Sequence, residues 1–492
     1  MSSPNRLSAL DSSFLHMEDK LPSHMHVASV TIFEGQPPPY EEFVEGIGSR
    51  LHLVPRYRQK LAFVPYSQGR PVWVDDPCFN IQYHVRATAL PPPGGEEQLR
   101  TLAGRVFSQR LDRDKPLWEV WLVEGLEGNR FGLLSKTHHS LVDGVSGADL
   151  MTVLFDATRE PSVPPAAGET WQPGPTPGSS QLLAEALLER ATQPAEIART
   201  VRSAFRGPRQ FAGNLVEAAG GLGALARGTL RPAPATPYNG SIGPHRRFTW
   251  VRVSLADLKA IKNSLGGTVN DVVLATVAGA LRRHLHSRGV TTQDLTLRAM
   301  VPVSIRSDLE RGALGNRVAA MMAPLPVWCE NPAVRLDVVQ DAMRNLKGSG
   351  QAVGAEVLTR IGGFAPPTIM AQATRLGARQ RAFNLVVTNV PGPQFPLYIQ
   401  GHELLDVFPM VPLAMNQRLG MALMSYNGAI NFGLIGDYDS MPDLEDVAQH
   451  LADALGELAE VAGVSLSAVG VGPAASKLPA RERGHSDGVP AR

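Results

Sequence analysis

The feature that most constrains this chain is the segment Lys136–Gly144, which reads KTHHSLVDG. The apolar run before it predicts a buried strand, and the residues after it predict the start of a helix. Two neighbouring histidines, His138 and His139, therefore end a strand, and Asp143 and Gly144 follow at the turn. We expect a rigid strand end to present the histidines in a fixed orientation.

A histidine in this position is a candidate general base, because imidazole has a pKa near neutral pH without special tuning. Neighbours on an extended strand point to opposite faces, so only one of the two can face a given site. Asp143 is too close in sequence to His139 to act as a free second base, and we expect it to fix the backbone by pairing with a cation elsewhere. Gly144 supplies a backbone conformation that other residues resist.

Three other interpretations compete on the residues alone. A zinc site would need three or four ligands, and no other His/Cys cluster has zinc-like spacing to this segment. The histidines could instead be a hydrogen-bonded buried pair with a purely structural role. A serine hydrolase dyad would use Ser140 or Ser146, but neither lies in a Gly-x-Ser-x-Gly elbow.

Residues 139–144 fit the His-x-x-x-Asp-Gly motif of acyltransferases with the chloramphenicol-acetyltransferase-like fold. The doubled histidine resembles the bacterial wax ester synthase/diacylglycerol acyltransferase family. Carnitine acyltransferases and peptide-synthetase condensation domains share related motifs, and further blocks narrow the choice. These blocks follow the family's order up to about residue 460: Leu7–Phe14, His24–Val27, Lys115–Glu119, Val269–Ala275, Val301–Arg306 and Thr388–Pro393.

The resemblance implies an α/β fold of two chloramphenicol-acetyltransferase-like halves with mixed sheets and a tunnel between them. A length of 492 residues also exceeds what one ordinary core supports. We predict an N-terminal acyltransferase domain over 1–160, proline-rich linkers flanking a helical crossover over 161–244, a C-terminal acyltransferase-like domain over 245–465 and a disordered tail over 466–492.

Local patterns predict several elements near the motif. A strand from Leu117 should form a hairpin with the histidine strand, which places Trp118 under the site. Alternation predicts a strand over Ile81–Val85. His24 and His26 share a strand face and could line a site, although a plain strand edge is the simpler expectation.

The resemblance implies direct acyl transfer from acyl-coenzyme A to a lipid hydroxyl, without an acyl-enzyme. Neutral His139 would take the proton of the attacking alcohol, and proximity of the two substrates would supply much of the rate. His138 is secondary, bonding to backbone or lining the opposite wall. Asp143 should pair with Arg306.

An oxyanion donor is also required. Asn270 is the first candidate and Thr388 the second, and simple helix capping is the alternative for Asn270 and Asp271. Acyl-coenzyme A would be a co-substrate, with no cofactor and no metal.

The expected product is triacylglycerol from diacylglycerol, with wax esters from fatty alcohols as a further product; usage of Ala, Gly and Arg favours triacylglycerol storage. Two alternatives stay open: a carrier-protein-dependent transferase of the condensation type, and a lipid-binding relative with a degenerate site. Whether free acyl-coenzyme A is a competent donor tests the first alternative, and a coenzyme A release assay tests the second.

The composition of the chain limits where the protein can be located and which partners it can bind. A formal net charge of +1 argues against a nucleic-acid binder that relies on bulk charge. Two cysteines, Cys78 and Cys329, form no disulfide framework and fit a reducing cytosol. The N-terminal residues lack the pattern of a secretory signal, and no run of about 18 apolar residues predicts a spanning helix. We expect a cytoplasmic protein, with peripheral contact to the inner membrane face or a lipid droplet left open through the basic, alanine-rich residues 181–230.

Overall fold

A computed structural model of the chain contains two mixed sheets with helices packed around them. Each sheet combines parallel and antiparallel neighbours, which confirms the predicted class. The residues that the structure describes are 5–18, 22–142, 154–160, 171–189, 232–304, 318–348, 381–467 and 469–471.

The first sheet has six strands in the order β11-β12-β1-β6-β5-β4. Its neighbours pair antiparallel, apart from the parallel pair β4 and β5. Its strands are β1 (His26–Glu34), β4 (Val85–Ala89), β5 (Trp118–Leu126), β6 (Arg130–His138), β11 (Tyr398–Ile399) and β12 (His402–Met410). A separate hairpin contains β2 (Gln59–Ala62) and β3 (Val72–Asp75).

The predicted hairpin that carries the histidines is confirmed. Strands β5 and β6 pair from Trp118 opposite Thr137 to Leu126 opposite Arg130. Gly128 and Asn129 turn the chain between them with φ of 76° and 54°. Such positive angles match the right-handed twist of a hairpin, and glycine and asparagine adopt them most readily.

Helices cover both faces of this sheet. One face packs on a buried cluster that includes Phe33, Trp118 and Leu141. The other face packs on a cluster that includes Phe107 of α4. The helices before residue 190 are α1 (Ala9–Glu18), α2 (Tyr40–Arg50), α3 (Ile81–His84), α4 (Glu96–Ser108), α5 (His139–Val142) and α6 (179–189).

The second sheet has seven strands in the order β15-β7-β14-β13-β10-β8-β9. They are β7 (Arg246–Ser254), β8 (Leu297–Ser304), β9 (Val318–Leu325), β10 (Leu385–Pro391), β13 (Leu419–Tyr426), β14 (Ala429–Asp437) and β15 (Gly470–Val471). The helices α7 (Leu255–Leu265), α8 (Val269–Ser287), α9 (Pro332–Gly348) and α10 (Leu444–Ala462) form one apolar core with this sheet.

Strand β12 links the two halves. It lies after the second sheet has begun in the sequence, yet it pairs antiparallel with β1 of the first sheet, from Ala28 opposite Met410 to Phe33 opposite Leu404. The domain division at residues 160 and 245 stays a prediction. The pairing of β12 with β1 is an addition that the sequence pattern did not predict, because a strand's partner is not encoded in its own alternation.

The second sheet packs on β12. The ring of Trp250 on β7 stacks on Phe408 at 4.7 Å between centroids. Arg252 forms an ion pair with Asp406. Gly433 on β14 approaches so closely that a Cβ there would lie 1.8 Å from the carbonyl oxygen of Pro409. The two sheets are therefore in direct contact along β12.

One predicted strand is wrong. Residues Ile81–His84 form the short helix α3, and extended structure begins only at Val85. The reason is a cap: the Asn80 side chain accepts a hydrogen bond from the Gln82 backbone N–H at 3.0 Å. A local Asx cap competes with strand pairing and starts a helical turn instead.

Most of the predicted crossover over 181–230 and almost all of the predicted tail lie outside the described residues. Within the described ranges, no single helix has the length and apolarity to cross a bilayer. Helices α7 and α8 meet that criterion only as a pair bent by 96°. Residues Val272–Leu281 of α8 are buried in the second core.

Candidate active site

His139 lies where β6 ends and the short helix α5 begins. Its backbone N–H donates to the carbonyl oxygen of Met25 at 2.8 Å. Its half-buried ring packs against Phe14 of α1, with 4.3 Å between ring centroids. The backbone and the ring are therefore both held, and the imidazole has the partial exposure that a substrate would need.

His138 is buried beside it, with 1% exposure. Its Nδ1 contacts the Ser140 hydroxyl at 2.6 Å and accepts the Ser140 backbone N–H at 3.1 Å. Its Nε2 lies 3.4 Å from Oε1 of Glu18. The expected bond between His138 and backbone is present, and the carboxylate contact is one that sequence reasoning missed.

Glu18 is the last residue of α1 and is almost fully buried. Its Oε1 accepts the backbone N–H of Met25 at 2.5 Å, and its Oε2 accepts from Arg113 at 3.0 Å. Burial alone would raise the pKa of this carboxyl. Contact with His138 at 3.4 Å, the attraction of His138 and His26 whenever those rings are protonated, and the Met25 N–H outweigh burial and hold the pKa far below its ordinary value.

A signal for Glu18 did exist in the sequence. A carboxylate at the C-terminal end of a helix faces the negative end of the helix dipole, which is unfavourable without a compensating partner. Arg113 supplies that partner here, by bonding both to Glu18 and to the carbonyl oxygen of Leu15 in the last turn of α1.

His24 and His26 are buried next to this carboxylate, so the expectation of a plain strand edge is wrong. The ring centroids of His24 and His26 lie 5.7 Å apart, and those of His26 and His138 lie 5.9 Å apart. Burial, followed by the charges of Arg246 and Arg110, lowers the pKa of His24 to about 4. Burial also lowers the pKa of His26 well below its ordinary value, so both rings are neutral at pH 7.

Two ring nitrogens of this cluster that could bind a metal already accept hydrogen bonds from protein groups. Nδ1 of His24 accepts from Arg110 at 3.2 Å, and Nδ1 of His138 is occupied by Ser140. Within the described residues, no group of three or more His, Cys, Asp or Glu side chains is arranged to hold a metal ion. The Ser140 hydroxyl, on a residue with 2% exposure, is turned to His138 and buried.

Trp118 lies at the start of β5, opposite Thr137, which precedes the histidines. Its indole N–H donates to the Tyr57 carbonyl oxygen at 2.8 Å, and its ring stacks on His84 at 4.7 Å. It belongs to the same buried cluster as Leu141 of the histidine turn. This packing agrees with the predicted position of Trp118 under the histidine turn. The effect of Trp118 on activity stays a prediction.

The two candidate oxyanion donors lie in the second half. Asn270 is half-buried in the first turn of α8, where Asp271 and Thr268 form the capping box. Helix capping therefore explains Asp271, whereas the Asn270 side chain takes no part in the capping box. Thr388 is a half-buried residue of β10. In the described part of the chain, no hydrogen bond or ring contact joins Asn270 or Thr388 to the histidines.

Asp143, Gly144 and Arg306 fall outside the described residues, and so does Ser146. The predicted pair of Asp143 with Arg306 and the conformational role of Gly144 therefore stay predictions. The parts of the site that the structure places together are His138, His139 and the supporting residues of α1, β1 and β5.

Comparison with known families agrees with the sequence blocks. Residues 7–273 match the model of the wax ester synthase/diacylglycerol acyltransferase catalytic domain. Residues 314–459 match the C-terminal domain of the same family. The two matches together include the first sheet, most of the second sheet and the histidine segment.

Relatives are similar over nearly their whole length. A probable diacylglycerol O-acyltransferase of Mycobacterium tuberculosis is 35% identical over 461 residues, which cover 93% of this chain and 96% of the relative. A second probable diacylglycerol O-acyltransferase from that organism is 34% identical over 472 residues, which cover 92% of this chain and 98% of the relative.

Among solved structures, a wax ester synthase/diacylglycerol acyltransferase from Marinobacter aquaeolei VT8 is 28% identical with a TM-score of 0.65, covering 93% of this chain and 100% of that one. The first condensation domain of the calcium-dependent antibiotic synthetase shares the fold at 17% identity and a TM-score of 0.55, covering 93% of this chain and 96% of that one.

Proposed function

The chain belongs to the wax ester synthase/diacylglycerol acyltransferase family, and on that premise we propose that it makes triacylglycerol by acyl transfer from acyl-coenzyme A to diacylglycerol. The observation that carries the proposal is His139, a half-exposed imidazole held by Met25 and Phe14 at the end of the histidine strand. The names of the relatives support diacylglycerol as an acceptor, and that of the solved relative supports long-chain alcohols as further acceptors.

The reaction needs one base and no covalent intermediate. His139 takes the proton of the acceptor hydroxyl while its oxygen attacks the thioester carbonyl carbon. The new C–O bond produces an oxyanion, for which Asn270 and Thr388 remain the candidate donors. Collapse breaks the C–S bond, and the imidazolium returns the proton to the departing thiolate of coenzyme A. Atoms and charge balance without a cofactor.

The test is a transfer assay with purified protein, one labelled long-chain acyl-coenzyme A and either diacylglycerol or a long-chain alcohol. Replacing His139 with alanine should lower labelled ester formation by at least about 100-fold, because a positioned base contributes roughly 10²–10⁴. His450→Ala is the matched control, since His450 lies on α10 in the second core and contacts Asp453. Substantial activity in His139→Ala would remove this residue as the base.

The same assay separates direct transfer from a serine route. Ser140→Ala should retain most of the turnover, because the buried hydroxyl serves His138 rather than a substrate. Loss of transfer as complete as in His139→Ala, together with acylated wild-type protein in a mass spectrum, would favour a covalent intermediate on Ser140.

The carrier-protein alternative is tested by the donor. Free acyl-coenzyme A should support transfer at saturating concentration. Transfer only from an acylated carrier protein would place the chain functionally with the condensation domains whose fold it shares.

We also propose peripheral contact with a lipid surface, because the acceptor is itself a lipid. Exposed apolar side chains support it: Tyr66 and Phe63 beside the β2–β3 hairpin are 85% and 48% exposed, and Leu188 on α6 is 67% exposed. Helix α6 packs on this hairpin through Leu182 and Ala186. Cosedimentation with anionic vesicles should fall on Tyr66→Ser, and unchanged binding would exclude this surface.

A further inference from the structure

We infer that Glu18 is a positioning residue for acyl transfer, which acts through His138 on the helical turn that presents His139. The inference rests on the proposed function, and it assigns a role to a residue outside the His-His-x-x-x-Asp-Gly segment.

The tautomer of His138 is fixed by its neighbours. A backbone N–H can only donate, so Nδ1 of His138 must accept the Ser140 N–H at 3.1 Å. The Ser140 hydroxyl, 2.6 Å from the same nitrogen, then donates as well. The ring proton of a neutral His138 is therefore on Nε2, which faces Oε1 of Glu18 at 3.4 Å.

The accepting nitrogen of His138 caps α5. This helix has only four residues, His139–Val142, and so forms few hydrogen bonds of its own. A side chain that accepts an N–H of the first turn does the work of an N-cap. Rotation of the His138 ring, or a shift of its proton to Nδ1, removes that acceptor and releases the turn that begins at His139.

Glu18 is itself firmly held. Arg113 binds Oε2 at 3.0 Å and the Met25 N–H binds Oε1 at 2.5 Å, while the Met25 carbonyl accepts the His139 N–H at 2.8 Å. Phe14 lies one turn earlier on the same face of α1 and contacts the His139 ring. Helix α1 thus supports both histidines from one side.

Direct participation of Glu18 in the chemistry is excluded by its surroundings. The residue is 4% exposed, and both of its oxygens accept hydrogen bonds from protein groups. Its effect on the reaction therefore passes through the histidine that it contacts. Carboxylates that orient metal-binding histidines act in this manner, and their loss typically costs about 10–100-fold in metal affinity or activity, so we expect an effect of the same order here.

The first test is a double-mutant cycle. Glu18→Gln should lower kcat by about 10–100-fold with KM within about twofold, because the substrate contacts are unchanged. In a His138→Asn background, in which the amide can still cap Ser140 but is too short for Glu18, Glu18→Gln should change kcat by less than about twofold. Effects that multiply in the double variant, or a raised KM with unchanged kcat, would overturn the inference.

Glu457→Gln is the matched control for loss of a glutamate–arginine pair, since Glu457 binds Arg335 at 3.0 Å in the second core. It should leave kcat unchanged. Far-UV circular dichroism and the thermal midpoint identify any Glu18 variant that has failed to fold, and in that case the tautomer of His138 in the wild type decides.

The second test does not depend on activity. The ¹⁵N chemical shifts of His138, assigned with His138→Asn, should show a pyridine-like Nδ1 and a pyrrole-like Nε2 in the wild type. Glu18→Gln should produce a tautomer mixture. A pyrrole-like Nδ1 in the wild type would overturn the inference even if triacylglycerol is formed, and absence of transfer in the wild type would overturn the proposed function alone.

Discussion

At the scale of single residues, the histidine cluster depends on a balance between burial and one negative charge. His24, His26 and His138 lie around the carboxylate of Glu18, and burial keeps the pKa values of His24 and His26 low. Glu18 stays ionised because its partners outweigh its own burial. Near neutral pH the cluster therefore holds a charged acceptor beside the neutral rings of His24 and His26.

This balance predicts a loss of stability on mild acidification. Burial first, then Arg246 and Arg110, lower the pKa of His24 from 6.5 to about 4, while Glu18 acts in the opposite direction and Lys136 in the same one. Stability from neutral His24 is present above pH 6.5 and is lost as pH falls toward 4, because only the unfolded chain takes up a proton. The free energy of unfolding should fall by about 3 kcal/mol from this group.

Urea unfolding at pH 7, 6 and 5 checks the expectation. His24→Gln should show a shallower decline than the wild type, and His26 accounts for part of what remains. His52→Gln, on a turn after α2, should decline like the wild type. Parallel curves for the wild type and His24→Gln would contradict the assignment.

At the scale of elements, one contact between the two sheets is backbone against backbone. Gly433 on β14 lies against Pro409 on β12, and a Cβ at Gly433 would come within 1.8 Å of the Pro409 carbonyl oxygen. Only a residue without a side chain permits that approach.

Gly433→Ala should therefore destabilise the protein by at least about 2 kcal/mol, because β12 or β14 must shift. The measurement is the thermal midpoint, which should fall by several degrees. Gly456→Ala is the matched control: Gly456 is in the middle of α10 with nothing within 4 Å of an added Cβ. Alanine there should stabilise the helix by about 0.5–1 kcal/mol. Equal midpoints for the two variants would contradict the contact.

Elements were predictable from the sequence wherever one local pattern determined them. The strand around Leu133 follows from its apolar run, and the β5–β6 hairpin follows from that strand and the one that begins near Leu117. Ile81–His84 was mispredicted because its alternation fits a strand while Asn80 caps a turn. The pairing of β12 with β1 could not be predicted, because it joins residues about 380 positions apart.

The same distinction applies to the candidate site. The motif predicted where His138 and His139 lie, because both follow directly on an apolar run that is typical of a buried strand. Glu18 was missed because its function exists only after α1 folds over the end of β6. The sequence did not identify the oxyanion donor either. Asn270 on α8 and Thr388 on β10 belong to the second half, and their position relative to the histidines depends on how the two halves pack.

At the scale of the whole molecule, the halves are structurally interdependent. β12 completes the first sheet, and Trp250, Phe107, Ile32 and Phe408 belong to one core drawn from both halves. The first half without β12 would expose the edge of β1 and this apolar face to solvent. Such an edge is a site for pairing with other chains.

A fragment ending at residue 244 should therefore aggregate or remain unfolded. Size-exclusion chromatography and far-UV circular dichroism test this expectation. A chain that ends at residue 471 keeps every described strand and should behave as the full-length protein. A monomeric fragment of residues 1–244 with strand-rich circular dichroism would contradict the interdependence.

The position of β12 also governs the order of events on the ribosome. Strand β1 ends at Glu34, and its partner begins at His402, almost 370 residues later. At roughly 5–20 residues per second, β1 waits about 20–70 s for that partner to emerge. The first sheet therefore cannot close during synthesis of the N-terminal half, and this edge of β1 stays unpaired until β12 has been translated.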